Sequence, residues 1–134
     1  GGRLNSYRGV YTMVYEGNGG AYEGAGSGEL FISREDILET WTHPSGCRTK
    51  IRFDVKATES VGTFTIKKAA YELHEAPKDG HCEKKAPSSI PSLSGLILVL
   101  TKNGSSLNYR LMGVDDVRNF TQQTCSWDDE RCWF

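Results

Sequence analysis

His43, Cys47, His81 and Cys82 together offer the two nitrogen and two sulfur ligands that a structural zinc ion takes. Their spacing argues against a metal, because His81 and Cys82 are adjacent and no Cys-x-x-Cys pair supports them. A Cys47–Cys82 disulfide flanked by two loop histidines is the simpler reading, so no metal and no other cofactor is expected. His43, His74 and His81 each have the chemistry of a general base, but no Gly-x-Ser-x-Gly or comparable nucleophile motif accompanies them. Asp128, Asp129 and Glu130 lack the spaced oxygen ligands and the glycine of a calcium loop and read as a solvated acidic loop. The glycines from Gly17 to Gly28 lack the Gly-Lys-Ser/Thr ending that grips phosphate. With no catalytic constellation in view, a hydrolytic enzyme ranks third among the functions considered.

Cysteine pairing carries the compartment argument. The four cysteines, Cys47, Cys82, Cys125 and Cys132, allow three connectivities. Cys47–Cys82 with Cys125–Cys132 is preferred because each bond closes a local loop, contributing roughly 3–4 and 2–3 kcal/mol by loop entropy. Four reduced thiols buried as core fillers are the alternative. The oxidised reading places the protein outside the cell or in a periplasm, and the triplets Asn103-Gly104-Ser105 and Asn119-Phe120-Thr121 would then be candidate glycosylation sites. The chain opens on Gly1-Gly2 rather than Met, which fits a processed mature form or an artificially trimmed one alike, so the missing signal peptide argues neither way.

These side chains need a scaffold, and the 134 residues suffice for one hydrophobic core, read as a single domain over 1–134. Charged residues make up 25% with a net charge of −1 and no like-charge run of five, which argues against a nucleic-acid-binding arm. The longest apolar run, Gly95 to Leu100, is strand-length and too short to cross a membrane as a helix. The pattern predicts an all-β domain, a single antiparallel barrel or strongly twisted sandwich of about six to eight strands.

Strands are expected at 7–16, 21–33, 48–56 and 62–74, the last with a bulge near Ala69-Ala70 where the alternation changes phase. In the second, Gly24, Gly26 and Gly28 share a face with Tyr22, Leu30 and Ile32, which marks a sharp bend, a bulge or close approach by another backbone, with a strongly coiled strand at a barrel corner the preferred reading. One short α-helix is predicted near 34–41, with Ser33 and Asp36 as a capping box and Ile37, Leu38 and Trp41 on one side. Residues 75–94 read as a long irregular loop. An Asn103-Gly104 turn then joins strands 95–101 and 106–114. Residues 115–120 fit either a helical turn or a further strand.

Gly9-Val10-Tyr11, opening the first strand, resembles the Gly-x-aromatic start of lipocalin-like barrels. The resemblance covers three residues and implies an architecture only. Two function classes follow from the sequence. The first is a secreted binding protein, inhibitor-, effector- or adhesin-like, that engages a protein partner through Lys84, Lys85, Pro87 and Ile90 of the tethered loop and Trp127, Asp128, Asp129 and Trp133 of the terminal loop. Those terminal aromatics serve equally well as a plug over a barrel end. The second is a carrier of a small hydrophobic ligand lined by Tyr7, Tyr11, Met13, Tyr15 and Tyr22, a set that also reads as one wall of a packed core.

Overall fold

A computed structural model describes residues 4–17, 24–75, 87–113 and 116–124. After a 3-10 turn at Leu4–Tyr7, the chain forms β1 (Gly9–Gly17), β2 (Gly24–Ile32), β3 (Asp36–Thr42), β4 (Arg48–Ala57) and β5 (Thr63–Glu75). The two-residue β6 (Ser88–Ser89), a second 3-10 turn (Pro91–Leu93), β7 (Ile97–Asn103), β8 (Ser106–Met112) and β9 (Asp116–Gln122) complete it. Each long strand pairs antiparallel with the next, and β9 returns to β1, closing an eight-stranded up-and-down barrel. Closure removes the exposed sheet edges that an open meander of this length would leave. β4 holds one edge of β5, so β6 and β7 lie end to end along the other, paired at Ala70–Tyr71 and Thr63–Thr65.

The helix expected near 34–41 is a hairpin turn followed by β3. Its capping chemistry is present, since Ser33 Oγ accepts from the amides of Glu35 (3.3 Å) and Asp36 (3.2 Å) and donates to Asp36 Oδ1 (2.6 Å). Those bonds close a Ser-led turn instead of starting a helix. Ile37 and Trp41, four apart, share a face in a strand as well as in a helix. The deciding residue is Leu38, which pairs with Phe31 of β2 on the outer face while Glu39 turns inward.

Other elements follow the alternation. In β4, Phe53 is buried with Ile51 and Val55 on its phase, while Asp54 and Lys56 are exposed. Opposite it, Val55 pairs with Ile66 but Asp54 with Lys68, so an extra residue sits at Lys67, slightly before the expected place. A second register shift lies between Lys50 and Ile51. Asn103 pairs with Ser106, so the hairpin turns on Gly104-Ser105, one residue later than Asn103-Gly104. Positive φ occurs there at Gly104 alone (61°), the pattern of a turn with glycine in its first central position. Residues 116–122 form the strand that closes the barrel, which settles the open choice between helix and strand.

One end of the barrel is plugged. Leu4 and Tyr7 of the first turn pack beneath Tyr11, Leu30, Ile32, Ile37, Phe64, Leu98 and Leu107. Among the described residues seven interior side chains are fully buried: Tyr11, Leu30, Ile32, Ile37, Ile66, Leu98 and Leu107. A side chain bordering a water-sized void would register some accessible surface, so the interior around these seven side chains is solid. An open depression lined by Leu4, Arg34, Glu35, Val55, Ala57 and Phe64 lies beside the plug.

Candidate ligand-binding site

The other end is built differently. The inner faces of the first three strands continue from the packed core through Met13 and Tyr15 on β1, Gly28 and Gly26 on β2, and Glu39 and Trp41 on β3, with His43 just beyond. Met13, Tyr15, Trp41, His43 and, on β4, Ile51 are only partly buried although they sit on the inward phase. Val55, inward-phase beside the plug, is partly buried too, so partial exposure occurs at both rims of the barrel, and at this one it falls mainly on aromatic side chains.

Glycine makes room for those rings. Tyr15 lies opposite Gly26 and Trp41 opposite Gly28, so one ring leans over β2 from each neighbouring strand. A Cβ added at Gly26 would come within 2.2 Å of Tyr15 Cζ, and one at Gly28 within 2.4 Å of Trp41 Cζ3. Both rings therefore lie flat on the β2 backbone instead of projecting across the lumen. The groups that approach Gly26 and Gly28 closely are thus aromatic side chains, not the backbone that one sequence reading expects.

A polar network fixes the rings. Glu39, 2% exposed, accepts through Oε1 from Trp41 Nε1 (2.8 Å) and Arg118 Nη1 (2.8 Å), and through Oε2 from the Tyr109 hydroxyl (2.5 Å). Three donors on its two oxygens compensate the desolvation of a buried carboxylate. The Arg118 guanidinium stands 4.3 Å over the Trp41 ring, a cation–π distance. Edge-to-face and tilted contacts at 6.0–6.4 Å link His43, Tyr15, Trp41, Phe120 and Tyr109 into one chain. Tyr15 Oη and His43 Nδ1 share a hydrogen bond of 2.8 Å.

No family model, curated protein or solved structure matches this chain. The site is accordingly judged on its own geometry.

Of the tyrosines read as one wall, Tyr11, Met13 and Tyr15 do share the inner face of β1. Tyr11 belongs to the solid half, where its hydroxyl donates to the Tyr7 carbonyl (2.6 Å) and burial, followed by the neighbouring Tyr7, pushes its ionisation up to about 12. Tyr7 is part of the plug and packs edge-on against Phe64. Tyr22 lies outside the described residues. So do Lys84, Lys85, Trp127, Asp128, Asp129, Trp133, His81, Cys82, Cys125 and Cys132. Pro87 is exposed, whereas Ile90 donates its amide to Ala69 O (2.8 Å) and packs partly buried against the core. The end of the loop expected over 75–94 thus belongs to the barrel wall.

Cys47 is buried, and no free cysteine occurs among the described residues. Asn103 and Asn119 are exposed, and Asn119 Oδ1 accepts from Asn108 Nδ2 (2.9 Å). Among the described residues no three His, Cys, Asp or Glu side chains gather as metal ligands. Glu39 and Arg118 escaped the sequence reading. The available signal was a charge in the apolar phase of Ile37-Glu39-Trp41, visible only once that segment is read with period two.

Proposed function

We propose that this protein carries a small, largely apolar molecule in the open half of its barrel. The observation behind the proposal is the division of the interior, with one half solid and the other lined by partly exposed Met13, Tyr15, Trp41 and Ile51. Aromatic walls with a few fixed polar groups are the usual make-up of small-molecule pockets. Rings held flat by glycines and hydrogen bonds lose little freedom on binding, which favours affinity.

Engagement of a protein partner through loops is the second reading; of its expected contact residues only Pro87 and Ile90 lie among the described residues, and of these two Pro87 is exposed. An extracellular setting remains part of the proposal, supported by the absence of a free cysteine among the described residues and by the exposure of Asn103. Cys47–Cys82 is the pairing we propose.

Native mass spectrometry of the protein, with and without the neutral dye N-phenyl-1-naphthylamine, tests the carrier function. One equivalent of dye or of a co-purified small molecule is expected. A chain that neither retains nor accepts any small molecule would refute it.

A further inference from the structure

Closure of the barrel is uneven along its last seam. β1 pairs with β2 over its full nine residues, and β9 pairs with β8 at six positions. β1 and β9 meet at only two, Tyr11 with Gln122 and Thr12 with Thr121, next to a bond from the Gln123 amide to Val10 O (2.8 Å). Carried on, that register sets Val14 opposite Asn119 and Glu16 opposite Val117, and neither of these described pairs is bridged. Side chains hold β9 there from across the barrel, with Arg118 bonded to Glu39 and Phe120 against Trp41 of β3. Tyr15 leans over Gly26 of β2, away from β9. The outer side of each strand is open at this level, since Val14 is 75% and Val117 55% exposed. On the inner side, the first β1 residue past the last bridged pair is Met13, a member of the proposed ligand wall. Antiparallel strands turn the peptide groups of alternate residues to opposite neighbours. Because Val10 O accepts from Gln123, the amides of Val14 and Glu16 face the unbridged stretch, and those of Met13 and Tyr15 face β2.

We propose that small apolar molecules enter and leave the open half laterally, through the seam between β1 and β9. The proposal rests on the carrier function and specifies its route. Residue-resolved amide exchange of the ligand-free protein tests the seam itself. Val14 and Glu16 should exchange at least about tenfold faster than Thr12, Met13 and Tyr15. Protection of Val14 and Glu16 equal to that of Thr12 would overturn the open seam, whatever the protein binds. Stopped-flow binding of N-phenyl-1-naphthylamine tests the route. Val14→Trp/Asn119→Trp sets one indole on the outer face at each side of the gap, and facing aromatics on neighbouring strands attract one another. Narrowing a route slows arrival and departure alike, so both rate constants should fall by about fivefold or more while Kd stays within about twofold. Val61→Trp, at an exposed position outside the seam, should leave both rates unchanged. Wild-type rates in the paired variant would overturn the lateral route and leave the carrier function standing. If the dye does not bind the wild type, route and carrier function fall together.

Discussion

Gly28→Ala probes the arrangement on which the open mouth depends. The added methyl would stand 2.4 Å from Trp41 Cζ3 and 2.8 Å from Cε3 and Cη2. Carbon atoms rest at about 3.5–4.0 Å, so the indole must retreat by roughly 1 Å. That retreat strains the 2.8 Å bond from Nε1 to Glu39 and disturbs the guanidinium above the ring. Overpacking of this kind costs about 1–3 kcal/mol, and weakening a hydrogen bond to a carboxylate adds about 1 kcal/mol. The sum, about 2–4 kcal/mol, should lower the melting temperature by roughly 3–5 °C per kcal/mol for a chain of this size. Trp41→Leu removes the ring that the methyl strikes, so Gly28→Ala in that background should cost less than about 0.5 kcal/mol. The assay is a double-mutant cycle by urea unfolding, followed by far-ultraviolet circular dichroism because the variants alter tryptophan fluorescence. Coupling of at least about 1.5 kcal/mol is expected; additivity within about 0.5 kcal/mol would refute the placement of the ring on β2.

Glu39→Ala leaves Tyr109, Trp41 and Arg118 without their shared acceptor and should cost about 2–4 kcal/mol, discounted because Arg118 is partly solvated. Glu39→Gln keeps an acceptor and should cost clearly less, so equal urea midpoints for the two variants would contradict the network. The raised ionisation of Tyr11 predicts an alkaline weakness. Below pH 10 folded and unfolded chains both hold the phenolic proton, and Tyr11 adds no pH dependence. From pH 10 to about 12 the unfolded chain releases it first, so stability should fall by roughly 2–3 kcal/mol. Alkaline unfolding curves check this against Tyr11→Phe, which lacks that proton; identical slopes in the two proteins would contradict it.

The barrel was largely legible because strands with one buried face write a period of two. Ile51, Phe53 and Val55 announce β4, and the glycine turn between β7 and β8 is visible to within one residue. The segment 33–41 misled because its Ser and Asp hydrogen bonds suit a helix start and a Ser-led turn alike, and Ile37 and Trp41 share a face under either period. That misreading concealed the site, since a helix places Glu39 toward solvent whereas β3 places it inside. Arg118 was hidden for a different reason. Its partners, Trp41 and Glu39, lie more than seventy residues away in sequence and meet it only when β9 closes on β1. Gly26 and Gly28 stood out on their strand face but read first as a bend, because the groups that approach them depend on register, which no local pattern specifies.

Methyl and indole NMR during saturation with N-phenyl-1-naphthylamine tests the central claim most directly. A ligand in the open half should shift the Met13 methyl and the Trp41 indole N–H, leaving the Leu30, Ile32 and Leu98 methyls of the solid half in place. Shifts confined to Val14 and Val117, which are 75% and 55% exposed on the outer wall, would mean that the dye binds outside and would contradict the proposed carrier site.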